Sequence, residues 1–124
     1  MLGAKKSLSM RTIEYEDMTI SVDDEGYLLN LNDWNEKVAC ALTQTVEDVD
    51  ECDLTDERME ILRFMRDYYR RFESFPIVRH VCKNVHQDKE CLYEQFIDPL
   101  KAWKIAGLPK PTPDVIARIK HELE

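Results

Sequence analysis

The chain has 124 residues, the size of one ordinary domain, of which 44% are hydrophobic and 34% charged. That balance supplies enough apolar surface for a core and excludes long intrinsic disorder; three glycines and five prolines exclude a collagen-like or low-complexity chain. The net charge of −8 opposes long-range attraction to nucleic acid, and no apolar run approaches the roughly 18–20 residues of a membrane helix.

Charge is unevenly placed. Residues 21–60 carry two basic and thirteen acidic side chains, whereas residues 61–113 carry ten basic and six acidic ones. One face can therefore hold an anion or an acidic partner although the whole is acidic. The first ten residues lack a signal-peptide apolar stretch, so a soluble, cytoplasmic protein is expected.

A flexible N-terminus is expected over residues 1–11, followed by a single domain over 12–124. Thr12-Ile13-Glu14-Tyr15 and Thr19-Ile20-Ser21-Val22 alternate polar and apolar side chains, the period of half-buried strands. Glu16-Asp17 makes the turn between them. Asp23 to Gly26 makes a second turn, with Gly26 free to take a positive φ, and Tyr27-Leu28-Leu29 is a third extended piece. From Asn32, read as an N-cap, the period becomes helical: Trp34, Val38, Ala41 and Leu42 share a face. The acidic stretch Glu47 to Asp53 is a loop. Thr55 caps a second helix whose Leu62, Met65, Tyr69 and Phe72 recur at three and four.

After the turn Glu73-Ser74-Phe75, Pro76 opens a third helix with Val78, Val81, Cys82 and Val85 on its apolar face. Leu92, Tyr93, Phe96 and Ile97 give a fourth. Pro99 begins a fifth, carrying Leu100 and Trp103 and ending at Gly107. Leu108 to Pro111 is extended. Thr112, Pro113 and Asp114 then start a sixth helix with Val115, Ile116, Ile119 and Leu123 inward. The fold class is α+β, mostly α: a small N-terminal hairpin packed on a helical bundle. Helices two and three form a helix-turn-helix-like element. Trp34, Leu62, Met65, Tyr69, Phe72, Val78 and Val81 are expected in the core.

No catalytic constellation stands out: there is no G-x-S-x-G, no glycine-rich phosphate loop and no H-E-x-x-H. Cys40, Cys52, Cys82 and Cys91, spaced by 12, 30 and 9, match no zinc motif, and neither metal nor cofactor is expected. A reducing compartment predicts four free thiols without disulfides. Cys40 and Cys82 read as small buried hydrophobes, while the acids around Cys52 make it a poor thiolate. Arg79, His80 and Lys83 stand on the polar face of the third helix, where they could meet a phosphate, although the net charge argues against DNA.

Five segments carry a resemblance. They are Asp23-Asp24-Glu25-Gly26-Tyr27-Leu28 through Leu31-Asn32-Asp33-Trp34; Leu54-Thr55-Asp56-Glu57 followed by Ile61 to Tyr69; Pro76-Ile77-Val78-Arg79; Leu92-Tyr93-Glu94-Gln95-Phe96; and Lys104-Ile105-Ala106-Gly107-Leu108-Pro109-Lys110-Pro111-Thr112. In this order they resemble the DsrC/TusE family of sulfur-relay proteins, the gamma-subunit-like proteins of dissimilatory sulfite reductase, over about residues 12–115. The resemblance implies a hairpin beside a helical bundle and a carrier role. Family members pass persulfide sulfur on a cysteine of a mobile C-terminal arm ending P-K-P-T-G-C-V, and a second cysteine lies in a C-K-I-A-G string. Implied partners are relay proteins of the DsrE/TusD kind and a siroheme sulfite reductase or a tRNA-thiolating enzyme.

Aligned on the proline-rich string, Asp114 stands where the carrier cysteine is expected and Trp103 where the second one is. Neither side chain can hold a persulfide, since a thiolate is required. Arg79, Lys83 and Lys104 fall in the family's basic patch, which would take an anion or an acidic partner. The expectation is a non-catalytic binding or regulatory member. The alternatives are a carrier using Cys91 or Cys82, and a DNA-binding regulator.

Overall fold

The computed structural model describes residues 10–122. Residues 1–9, which hold most of the expected flexible N-terminus, and Leu123 of the expected sixth-helix stripe lie outside them. Side-chain alternation sets the first element: strands β1 (Met10–Tyr15) and β2 (Met18–Asp23) pair antiparallel with Ile13 opposite Ile20. Glu16, at φ 55°, reverses the chain between them. Ile20 and Val22 are buried with Leu28, Val38, Ala41 and Leu42. The third extended piece reduces to a single bridge, Val22 to Leu28. In the turn before it the Asp23 carboxylate accepts the N–H groups of Glu25 and Tyr27 at 2.8 and 2.9 Å, and Gly26 takes φ 89°.

The first helix starts later than the sequence suggests. Asn30 caps a single 3₁₀ turn over Leu31–Asp33, the chain runs extended through Trp34, and α1 (Glu36–Glu47) begins at Asn35, whose side chain accepts from the Val38 N–H. Two asparagines each closing their own turn outcompete a continuous helix from Asn32. Trp34 is thereby released from the helix and becomes a bridge between the two apolar clusters. Its indole N–H donates to the Ile105 carbonyl at 2.9 Å, and the Arg66 guanidinium lies 4.6 Å from its ring centre. Arg66 also donates to the carbonyls of Ala106 and Leu31 at 2.8 and 2.7 Å.

Gly107 backs onto this tryptophan at φ 72°, and a Cβ there would sit 2.5 Å from Trp34 Cδ1. Gly107→Ala is therefore expected to cost roughly 1–3 kcal/mol through overpacking and a left-handed backbone. A lower urea midpoint at unchanged slope checks it.

Helix α2 (Asp56–Phe72) starts where Thr55 caps it, its hydroxyl accepting from the Arg58 N–H. Met59, Ile61, Leu62 and Met65 are buried, whereas Tyr69 is only partly so. Phe72 departs from the expected core: it is 59% exposed, and its ring packs on Tyr68 at 4.6 Å while Tyr69, in the same turn, takes the core contact with Trp103. Helix α3 (Val78–Asn84) begins two residues after Pro76, which stays in the connection. Val85, expected on its apolar face, becomes its C-terminal cap.

Helices α4 (Cys91–Phe96) and α5 (Pro99–Ile105) follow, the latter capped by Asp98, which accepts from the Lys101 N–H. Helix α6 (Pro113–Glu122) forms as expected, with the Thr112 hydroxyl accepting from the Val115 N–H at 3.4 Å. The main core draws on α1 to α6 and closes over Ile119, 1% exposed.

Arg58 ties three of these elements together. Its guanidinium pairs with the Glu47 carboxylate at 2.8 Å, donates to the carbonyls of Gln95 and Asp53, and lies 4.7 Å from the Phe96 ring centre. The acidic loop after α1 is thus held down at both ends by one cation.

Candidate functional site

The four cysteines form two disulfides, Cys40–Cys52 and Cys82–Cys91, which overturns the expectation of free thiols. Chain reversal is the cause. Asp48 ends α1 in the left-handed region at φ 55°, and the acidic loop doubles back to set Cys52 against Cys40, their Cα atoms 4.9 Å apart. His86, at φ 58°, does the same after α3: the Gln87 N–H bonds the Cys82 carbonyl, and Cys91 returns to 5.6 Å from Cys82. Both separations lie well inside the range a disulfide spans. Cys82 and Cys91 are also buried, at 0% and 1% exposure. The two candidate non-standard thiols are therefore bonded to each other inside the core.

The predicted basic trio separates into two groups. Arg79 and Lys83 project from α3 into an open pocket of about 670 Å³, lined also by Ile77, His80, Gln87 and Lys89. A neighbouring hollow shares His80 and Lys83 and adds Asn84 and His86. Lys104 is elsewhere. Its ammonium donates to the Glu25 carbonyl at 2.8 Å and lies 4.7 Å from the Tyr27 ring centre. Lys110 joins it by pairing with the Glu25 carboxylate at 2.8 Å. These two lysines clamp the turn after β2 to α5 and the segment that follows it. The Glu25 hydrogen bond and charge raise the Lys110 ammonium above its usual value.

Tyr27 shares that clamp, and burial, with help from the charges of Glu25, Asp23 and Asp98, raises its phenol. A folded phenol raised above its unfolded value of 10.0 gives stability that is complete below that pH and is lost as pH rises through the folded value. Urea midpoints should therefore fall more steeply with alkaline pH in the parent than in Tyr27→Phe.

The two positions set against the family cysteines have opposite fates. Trp103 is 2% exposed in the core. Its indole N–H donates to the Pro109 carbonyl, its ring meets Tyr69 edge-on at 5.8 Å, and Phe75 packs on it at 4.5 Å. Asp114 is exposed in the first turn of α6. The tail that follows lies on the body: Arg118 donates to the carbonyls of Phe75 and Pro76 at 3.0 and 3.2 Å, its guanidinium 6.0 Å from the Phe75 ring centre. Phe75 thus touches Trp103 on one side and the tail on the other. Sequence reasoning missed this role of Phe75, which it assigned to a turn. An aromatic beside a proline in a short interhelix connection was the available signal.

No group of three or more His, Cys, Asp or Glu side chains among the described residues is arranged to hold a metal ion. No helix among them is long and apolar enough to cross a membrane.

Residues 14–115 match the family described as DsrC like protein. The chain belongs to this family. Over 111 residues it is 36% identical to the sulfurtransferase TusE of Photorhabdus laumondii, covering 82% of this chain and 96% of that one. It is 35% identical over 109 residues to the dissimilatory-type sulfite reductase subunit gamma of Nitratidesulfovibrio vulgaris, covering 83% and 97%. Among solved structures, the oxidized gamma subunit (DsrC) of Archaeoglobus fulgidus superposes with a TM-score of 0.71 at 32% identity, covering 82% of this chain and 97% of that one. The hairpin with six helices is thus a DsrC-like fold, and the chain is a member of a sulfur-metabolism family whose relatives are named as sulfurtransferases and reductase subunits.

Proposed function

We propose that this DsrC-like chain is a docking and regulatory member of its family. It would occupy a sulfur-relay protein or a siroheme sulfite reductase without carrying sulfur on its own tail. The relatives' names, a sulfurtransferase and a reductase subunit, support a protein partner in sulfur metabolism. The observation that carries the reading is the tail. Arg118 and Ile119 fix α6 against the body, and the neighbouring core position holds a tryptophan where the family pattern implies a cysteine. A docked helix with Asp114 in its first turn neither reaches into another protein's active site nor offers a thiolate. Carriage on Cys82 or Cys91 would first require reduction of their bond and opening of the loop between them.

Incubation with a persulfide donor, followed by mass mapping of every cysteine, tests this beside isolation of the native complex. The expected result is a complex with a relay protein or reductase and no persulfide passed to an acceptor. Stoichiometric persulfide on any cysteine, with transfer onward, would overturn the reading.

A further inference from the structure

The cations around α3 are grouped on one pocket, and several cations elsewhere in the molecule are engaged by its own groups. Lys37, Arg58, Arg63, Arg70 and Lys110 each pair with a carboxylate, and Lys104 caps a carbonyl. Among the described residues no ion pair joins Arg79, Lys83 or Lys89 to a carboxylate. These three, with His80, line one pocket in a chain whose net charge is −8. Of the chain's own acids, Glu47 is engaged by Arg58 and Glu25 by Lys110, and Asp88 and Glu90, which flank Lys89 in sequence, form no ion pair with it. Ile77, 45% exposed, adds an apolar patch to the same lining. Cations beside an exposed aliphatic side chain complement an acidic segment that carries an apolar anchor.

The lining is also stapled. Lys83, Gln87 and Lys89 all lie in the loop closed by Cys82–Cys91. Gln87 donates to the Glu57 carbonyl and the Glu60 carboxylate, holding that loop against α2.

We propose that this pocket docks an acidic, apolar-anchored segment of a protein partner, and that the Cys82–Cys91 bond holds the pocket in its binding shape. The proposal rests on the docking reading above and supplies the chemistry of the contact. A dithiol reductant delivering two electrons and two protons converts the bond to two thiols and is itself oxidised to a disulfide. The segment after α3 that carries Gln87 and Lys89 then loses its covalent tie to Cys82 and keeps only the Gln87 hydrogen bonds, and docking weakens.

The test uses the full chain and a fluorescein-labelled peptide of alternating Glu and Leu, read by anisotropy. Binding that falls with added salt is expected. Arg79→Ala with Lys83→Ala should weaken it about tenfold, the loss of two exposed charge contacts, whereas Lys104→Ala should leave it unchanged. Reduction by dithiothreitol should weaken it several-fold with helical circular dichroism retained, and Cys82→Ser with Cys91→Ser should reproduce that loss.

Equal binding by the Arg79/Lys83 double variant, or tighter binding of a labelled DNA duplex than of the peptide, overturns the site. Equal binding by oxidised and reduced protein overturns the staple. A native complex that survives Arg79→Ala with Lys83→Ala keeps the docking reading while removing this pocket from it; no native complex with the parent chain removes both.

Discussion

Trp103→Ala is expected to destabilise the protein by roughly 3–5 kcal/mol and to loosen α6 as well as the core. The side chain is 2% exposed and meets Tyr69 of α2, Phe75 of the α2–α3 connection and the Pro109 carbonyl of the extended segment. Truncation leaves a cavity where three elements converge, and removes the donor that anchors the run into α6. Phe75, unsupported on that side, also loses its fixed position beneath Arg118. Trp103→Phe keeps most of the volume without the N–H, so it should cost less. Urea denaturation gives the stabilities, and amide exchange in α6 reports the tail. A Trp103→Ala protein with parent stability would remove the tryptophan from the account of why the tail stays docked.

Arg58→Ala is expected to cost a similar 3–5 kcal/mol, by a different route. The Arg58 and Glu47 side chains are only 12% and 11% exposed, so removing the guanidinium leaves a poorly solvated carboxylate without its partner. The carbonyls of Gln95 and Asp53 lose a donor at the same time. Arg58→Met combined with Glu47→Gln removes both charges and should recover part of the loss. A double-mutant cycle between Arg58 and Glu47 isolates their coupling. By contrast, Arg63→Ala should change stability by less than about 1 kcal/mol, since its pair with Glu36 is exposed on both sides.

Periodicity made most of the architecture legible. The hairpin register, the Thr55 cap, the Leu62–Met65 face and the start of α6 all follow from local rules that tertiary contacts reinforce. Misreadings arose where two local signals competed or where a long-range contact decided. Asn32 and Asn35 are both plausible caps, and the indole bond from Trp34 to Ile105, 71 residues away, favours the later start. Phe72 keeps the spacing of a core residue, but Tyr69 and Phe75 on either side of it take the contacts with Trp103 and leave it exposed.

For the candidate cations, the sequence shows the residue types and not which of them the fold groups together. Arg79 and Lys83 share a helix face, so helical spacing alone brings them together. Lys104 sits on α5, and only the turn after β2, 79 residues earlier, determines what it binds. The expectation of free thiols follows from compartment chemistry, which carries no information on the chain reversals that bring the cysteines together. Each pair flanks a single chain reversal, at Asp48 and at His86, and such a reversal returns a residue nine or twelve positions on to its starting point.

The proposed non-carrier role depends on α6 being held against the body. Hydrogen exchange of the backbone amides across 113–122 measures that directly, in the parent protein and without substitution. The helix is short enough to be marginal alone in water, so protection there reports docking rather than intrinsic helicity. Slow, protected exchange around Ile119, comparable to that of neighbouring core helices, is the predicted result. Unprotected exchange throughout α6 would mean a free arm, and would contradict the docking role in favour of a carrier that moves.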